Sequence, residues 1–362
     1  MIAFDARMAL HSGIGTQIQG LLSALQEMPN RPPMLLLGDL NKLTRLNFHH
    51  GFDLQRYVAP IYSPWAQLRF PKRLKQAQAL HVPHYNAPYR YADPLVVTIH
   101  DLIHLLFPEH VASAIKSAYA RYTFRFVARR ADRIFCISEY TRRDVMERLG
   151  VEEERTALLP NAVDRRFLPT DDPGKIVDFK RRLGLPVEYL LAVGIDKPHK
   201  NWPFLFESLK PLWAAKRLDI PLAVAGAGGA NSHLAQLAGR MGVGHWTLFL
   251  DQIERNEMSL LFQGATALVF PSIYEGFGLP VLEAQRVGTP VAATNAACIP
   301  EVGGEGAVYF DPGDAEACRD ATLRVVSDTA LRERLVAAGR RNESRYSWED
   351  SARRLIEVYR SL

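Results

Sequence analysis

Short apolar runs alternate with amphipathic stretches along most of the chain. In the first half, residues 2–4, 34–37, 80–82, 95–99 and 133–137 read as strands. Residues 16–27 carry apolar positions at helical spacing, and residues 112–131 do so over a longer helix. Ser138 is placed to cap a helix that runs to Leu149. Residues 49–80 are less regular. The second half repeats the alternation, with strands expected at 189–193, 222–225, 247–250, 267–270 and 291–293. Ser347 caps a last helix, with Asp350 at its third position. Strands that alternate with helices in this way imply parallel sheets covered by helices on both faces, an α/β fold.

Two such sets divide the chain. The segment from Leu158 to Asp164 ends the first, and Leu168-Pro-Thr-Asp-Asp-Pro-Gly174 reads as a linker. The expected domains are 1–168 and 169–346, with 347–362 as a closing helix. A length of 362 residues suits two domains. With 48% hydrophobic and 23% charged residues, the chain can bury a substantial core. The apolar stretch 94–107 is too short to span a bilayer and is broken by His100, Asp101 and His104. The opening Met1-Ile-Ala-Phe-Asp-Ala-Arg7 reads as an immediate strand and turn, so no signal peptide is expected. Cys136, Cys298 and Cys318 have no metal-ligand spacing and suggest reduced thiols in a cytoplasmic protein.

Charge is unevenly divided. Residues 1–168 hold 22 Lys and Arg against 15 Asp and Glu, a net of +7; the remainder holds 22 against 24, a net of −2. Basic clusters occur at Arg69-Phe-Pro-Lys-Arg-Leu-Lys75 and Arg125-Phe-Val-Ala-Arg-Arg-Ala-Asp-Arg133. They read either as a solvated face or as a surface for anionic lipid or a phosphate-bearing acceptor, with Trp65 and Phe70 suited to an interface. No nucleic-acid motif accompanies the charge, so nucleic acid is not expected as a partner.

The candidate chemistry centres on Ser272-Ile-Tyr-Glu-Gly-Phe-Gly-Leu-Pro-Val-Leu-Glu283, which follows the apolar run Ala267-Leu-Val-Phe270. A buried strand is expected to end at Pro271. A helix then starts near Leu279 or Pro280, since proline suits a first helical position. Glu275 falls in the loop, and Glu283 within about the first turn of the helix, where the macrodipole favours negative charge. The glycines between them permit close backbone approach. A strand, a glycine loop and a helix N-terminus form a site for a phosphate or a dense set of hydroxyls.

This string resembles the E-x7-E motif of retaining glycosyltransferases of the GT-B fold, family 4. The resemblance implies two Rossmann-like domains facing across a cleft, with the C-terminal helix returning to the N-terminal domain. The first domain would bind the acceptor and the second the nucleotide sugar. Ser12-Gly-Ile-Gly-Thr16 is similar to the family's first glycine loop, so Gly13 and Gly15 would approach the donor phosphates. Thr98-Ile-His-Asp-Leu102 resembles its His-Asp motif; His100 would contact the donor sugar near the reacting carbon, with Asp101 orienting it or touching the acceptor. His81-Val-Pro-His-Tyr85 resembles an acceptor-side segment and makes His84 a candidate. Val193-Gly-Ile-Asp-Lys-Pro-His-Lys-Asn201 resembles the phosphate motif. Lys200 would meet the diphosphate, with Asn201 beside it. Ile195 stands where some relatives carry arginine, so Lys197 could substitute only by turning inward. Glu275 would face the donor sugar. Gly276, Phe277, Gly278 and Leu279 would offer amides to sugar and phosphate, and Glu283 would accept from the ribose hydroxyls.

The expected activity is therefore retaining, metal-independent transfer of a hexose from a nucleotide sugar to a glycan or lipid-linked acceptor. It would serve polysaccharide or glycolipid assembly at the inner face of a membrane, without a further cofactor. The resemblance to mannosyltransferase-like members favours GDP-mannose; UDP-glucose, UDP-N-acetylglucosamine and dTDP-rhamnose remain open. Two readings of other classes stand beside it. A dinucleotide-dependent dehydrogenase is disfavoured because Ile18 occupies the third glycine position of its fingerprint. A non-catalytic nucleotide-sugar scaffold would be signalled by binding without transfer.

Overall fold

The computed structural model describes residues 1–11, 13–61, 71–108 and 113–362. Ser12, Trp65, Arg69, Phe70 and Ala112, named above, lie outside these residues. The chain forms two compact units. Met1–Asp164 joins Tyr346–Leu362 in the first, and Arg165–Arg345 makes the second.

The first unit carries β1 (Ile2–Asp5), α1 (Ile14–Glu27), β2 (Met34–Gly38), α2 (Leu40–Arg45), β3 (Asp53–Arg56) and β4 (Ala79–Val82). β5 (Leu95–Ile99), α3 (Ile103–Leu106), α4 (Ala114–Arg130), β6 (Arg133–Cys136), α5 (Glu139–Leu149) and β7 (Thr156–Leu158) follow. The strands form a parallel sheet in the order β3-β2-β1-β4-β5-β6-β7. Its central strands are buried along their whole length, as expected of a sheet covered on both faces.

The second unit holds α6 (Pro173–Leu183), β8 (Leu190–Val193), α7 (Trp202–Ala214), β9 (Leu222–Ala225), α8 (His233–Arg240), β10 (Thr247–Phe249) and α9 (Met258–Gln263). β11 (Ala267–Phe270), α10 (Leu279–Val287), β12 (Val291–Thr294), α11 (Ile299–Gly303), β13 (Val308–Phe310), α12 (Ala315–Ser327) and α13 (Thr329–Glu343) complete it. Its parallel sheet runs β10-β9-β8-β11-β12-β13. In both sheets the strand order reverses once, between β1 and β4 and between β8 and β11. Open α/β sheets place ligands outside the carboxyl ends of the strands at such a reversal.

The last helix, α14 (Trp348–Arg360), belongs to the first unit. Ser347 caps it by accepting the Asp350 N–H at 3.0 Å. Its apolar face lies on α1 and the β1 side of the sheet, where Trp348 is buried and donates Nε1–H to the Val163 carbonyl at 3.2 Å. A Cβ on Gly20 of α1 would sit 2.2 Å from the Trp348 indole, so a residue without a side chain lets the ring lie against the helix. Deeper in, the Tyr359 hydroxyl bonds His81 Nδ1 at 2.6 Å, and His81 Nε2 meets Thr98 Oγ1 at 2.8 Å.

Several local expectations change. The supposed linker is ordered: Thr170 exchanges two 2.8 Å hydrogen bonds with the Gln263 side chain, and α6 begins at Pro173 under an Asp172 cap. The irregular stretch after residue 49 contains β3, a half-polar edge strand. α1 begins at Ile14, ahead of the expected Thr16. The three cysteines are free and buried.

Candidate functional site

β8 and β11 flank the reversal of the second sheet, and each delivers one charged side chain. After β8 the chain passes Gly194 and makes a short 3-10 turn, Pro198–Lys200. Asn201 closes it in the left-handed conformation (φ 57°), where asparagine is better tolerated than most side chains. After β11 comes the glycine loop. Lys200 Nζ lies 2.6 Å from Glu275 Oε1, with both side chains less than a fifth exposed. The lysine stem lies along Gly194, where a Cβ would come within 3.1 Å of Lys200 Cδ. Its ammonium is 5.4 Å from the centroid of the Phe270 ring.

The loop that carries Glu275 is tied at both sides. Ile273 N–H donates to the His199 carbonyl at 2.9 Å, which joins it to the Lys200 turn. From the β12 side, Thr294 Oγ1 donates to the Ser272 carbonyl at 2.5 Å and Cys298 Sγ to the Glu275 carbonyl at 3.0 Å. These anchors fix the backbone on which the carboxylate stands. Gly276, Phe277 and Gly278 are buried beside it. Gly278 takes φ 88° at the start of α10, and no side chain caps that helix. Pro280 carries no N–H and Val281 N–H donates to the Gly278 carbonyl at 3.0 Å, so at this helix start, where the dipole favours negative charge, Leu279 supplies the amide for a ligand.

Glu283 is the fifth residue of α10, just past its first turn, with the helix starting at Leu279 as one of the two expected positions. Two expectations are adjusted. The Asn201 side chain donates to the Pro312 carbonyl at 3.1 Å, so it secures the turn. Lys197 is exposed, as is Ile195 before it, and Lys200 is the cation paired with Glu275.

One feature was not anticipated from sequence. A cavity of about 300 Å³ opens at the carboxyl ends of β8, β9 and β10, lined by Val193, Gly226, Gly228, Asp251, Ile253 and Met258 among others. Gly226, Gly228 and Gly229 all have positive φ. A Cβ on Gly229 would stand 2.0 Å from Asp251 Oδ1, so that glycine is what admits the carboxylate. The signal was present in Ala225-Gly-Ala-Gly-Gly229, a glycine cluster directly after an apolar run.

In the first unit, the expected histidines follow β4 and β5. His100 is half-buried and donates Nε2–H to the Pro83 carbonyl at 3.1 Å, which leaves Nδ1 as its acceptor. Burial pulls its pKa down to about 4, and the Pro83 bond offsets part of that. His84 is buried, accepts the Asn86 N–H on Nδ1 at 3.1 Å and stacks on Tyr85. Burial, then the proximity of His100 and His104, brings its pKa to about 3. The two rings are thus neutral neighbours at neutral pH. Asp101 Oδ1 accepts the Ile103 N–H at 2.9 Å and starts α3. Gly13, at the N-cap of α1, has φ 68°, and a Cβ on Gly15 in the helix's first turn would meet the Ala9 carbonyl at 2.7 Å, so both positions depend on glycine. Beside them Arg7 forms a buried fork on Asp5 and lies 4.1 Å over the Tyr57 ring.

A family model described as Glycosyltransferase Family 4 matches residues 11–167, and one described as Glycosyl transferases group 1 matches residues 177–342. The chain belongs to glycosyltransferase family 4. The two matched segments contain every candidate residue of this family 4 member, from Gly13 to Glu283. It is 28% identical over 285 residues to O-antigen chain mannosyltransferase B of Escherichia coli, covering 78% of this chain and 74% of that protein. It is 29% identical over 287 residues to the serotype-specific mannosyltransferase WbdA of Escherichia coli, of which it spans 34%. The structure of Anabaena Alr3699/HepE in complex with UDP and glucose matches 100% of this chain and 99% of its own at a TM-score of 0.77 and 19% identity. That likeness establishes the GT-B fold of this glycosyltransferase.

Proposed function

We propose that this glycosyltransferase moves a mannosyl unit from GDP-mannose to a glycan or lipid-linked acceptor, with retention at the anomeric carbon and without a metal or further cofactor. The observation that carries the reading is the Lys200–Glu275 pair at the β8/β11 reversal, beside the uncapped start of α10.

Each part has a task. As the bond from the sugar carbon to the phosphate oxygen breaks, negative charge grows on the departing diphosphate. Lys200 and the Leu279 amide at the start of α10 meet that charge, and preorganised positive groups of this kind are often a leading catalytic term. Glu275 accepts hydrogen bonds from the sugar hydroxyls, and Glu283 serves the ribose. The acceptor oxygen bonds the same carbon on the face the phosphate leaves, and its proton passes to the departing phosphate oxygen. In the first unit His100, held neutral, keeps Nδ1 as an acceptor for a substrate hydroxyl.

Asp251 supports the choice of base. Guanine presents two adjacent N–H donors on its pairing edge, and a carboxylate accepts both at once. Uracil and thymine lack that pair. An acidic residue in a strand-end cavity next to the diphosphate site therefore favours GDP over UDP and dTDP. The mannosyltransferase names of the relatives point the same way.

The test is transfer of labelled mannose from GDP-mannose to an acceptor-bearing lipid extract, with UDP-glucose, UDP-N-acetylglucosamine and dTDP-rhamnose in parallel. Incorporation from GDP-mannose alone supports the reading. Incorporation only from another donor replaces the sugar and base. Nucleotide binding with no transfer to any acceptor converts the protein to a scaffold.

A further inference from the structure

The carboxyl end of β12 and the turn after it carry two side chains that no step of the proposed reaction uses, Thr294 and Cys298. Both are fully buried. Their place follows from register. β12 pairs with β11 in parallel, with Ala293 opposite Phe270. Thr294 and the turn that follows therefore leave the sheet beside the loop that carries Glu275.

Each side chain directs a donor at the backbone of that loop. Thr294 Oγ1 meets the Ser272 carbonyl at 2.5 Å, and Cys298 Sγ meets the carbonyl of Glu275 itself at 3.0 Å. The two acceptors bracket Ile273 and Tyr274. Apolar packing alone does not require a hydroxyl at the end of β12, since valine has the same shape. What the hydroxyl adds is a fixed distance between β12 and the loop.

The turn between the two donors is strained. Ala297 lies in the left-handed region at φ 51°. Alanine has no polar side chain to offset the clash of its Cβ with the backbone there, and such a residue persists where its surroundings impose the conformation. Here it sets Cys298 ahead of α11, with Sγ on the Glu275 carbonyl. Ile299, the next residue, lies near the other end of the loop, where a Cβ on Gly278 would stand 3.9 Å from Ile299 Cγ1.

We infer that Thr294 and Cys298 are positioning residues for the Glu275 carboxylate. They act through the backbone and need no contact with substrate. The pair fixes the chain from Ser272 to Glu275, while Lys200 holds the far end of the side chain at 2.6 Å. A carboxylate held at both ends meets the sugar hydroxyls without first being ordered, and a misplacement of about 1 Å in such a group can cost on the order of 100-fold in rate. The inference rests on the reading of Glu275 as the group that meets the donor sugar.

The test uses Thr294→Val and Cys298→Ala, which remove the donors, and Thr294→Ser and Cys298→Ser, which keep one. Hydrogen exchange, read by mass spectrometry without any substrate, should speed up over residues 273–278 in the first two and stay at the parent rate over β8. The serine variants should restore protection. Transfer to a lipid extract is then measured with whichever of GDP-mannose, UDP-glucose, UDP-N-acetylglucosamine and dTDP-rhamnose the parent uses fastest. Thr294→Val and Cys298→Ala should each lower kcat by about tenfold or more, and the serine variants should recover most of it. In a Glu275→Gln background Thr294→Val should cost little further, because the group it positions is gone; a general loss of folded protein would cost the same in both backgrounds. Parent-like exchange and kcat in Thr294→Val and Cys298→Ala, beside a slow Glu275→Gln, overturn the inference alone. So does an equal loss in both backgrounds. Parent-like turnover by Glu275→Gln removes the reading of Glu275 and the inference with it.

Discussion

Lys200 and Glu275 are 75 residues apart in the chain, yet their charged atoms lie 2.6 Å apart. The pairing follows from topology. β8 hydrogen-bonds to β11, so the turns that leave the two strands end side by side. The ion pair holds both groups in position, and in the proposed site a diphosphate would compete with Glu275 for the ammonium.

Glu275→Gln and Lys200→Met should each lower transfer by about 100- to 1000-fold, the scale seen when a preorganised electrostatic group is removed. The double variant should lose much less than the product of the single losses, because partners that act as a unit are not additive. Steady-state rates of the three variants, with circular dichroism to confirm folding, measure this. Near-parent turnover in either single variant removes that residue's role.

Asp251→Ala should weaken GDP binding by about tenfold or more, in line with loss of charge-assisted hydrogen bonds, and leave UDP binding almost unchanged. Isothermal titration with both nucleotides decides it. An equal loss for both would mean that Asp251 shapes the cavity without reading the base.

Gly20→Ala should destabilise the first unit by about 1–3 kcal/mol, the usual cost of overpacking a core. The added methyl would have to displace the Trp348 ring. Urea unfolding followed by tryptophan fluorescence reports it. An unchanged midpoint would show that α14 shifts at no cost.

Acid should weaken the first unit in a defined window. Burial lowers the pKa of both His81 and His84 to about 3. Both are neutral in the folded chain, and the unfolded chain takes up their protons near the ordinary value of about 6.5. Their contribution is therefore complete above that value and is lost as pH falls toward 3. Each should cost about 2 kcal/mol between pH 7.5 and pH 5. Denaturant titrations at the two values check the slope, and His81→Asn should make it shallower. An unaltered slope in that variant would assign the loss to other groups.

The alternation of apolar runs and helical stretches is enough to read two parallel-sheet units, because strands buried on both faces leave a strong local pattern. Thr156-Ala-Leu158 and Val308-Tyr-Phe310 escape that reading, although Thr247–Phe249, a strand of the same three-residue length, does not. Asp171-Asp-Pro-Gly174 suggests a linker by composition. The same residues are also a helix start, with Asp172 accepting the Gly174 N–H at 2.9 Å and proline at the first turn. Glu275 stands out individually beside Gly276 after one apolar run, and Lys200 in the loop that follows Gly194 after another. Their contact does not, because it depends on which strands are neighbours. Asp251 is hidden among the acids of its loop, Glu254 and Glu257, until the approach of Gly229 distinguishes it.

The central claim is that Lys200 and Glu275 form the diphosphate-sugar end of a GDP-mannose site. Titration calorimetry of GDP-mannose into the parent protein and into Lys200→Met tests it most directly. The predicted result is saturable binding by the parent, weakened at least tenfold by the substitution, with guanosine binding unchanged because it lacks the diphosphate. No binding by the parent, or equal affinities in the two proteins, would contradict it.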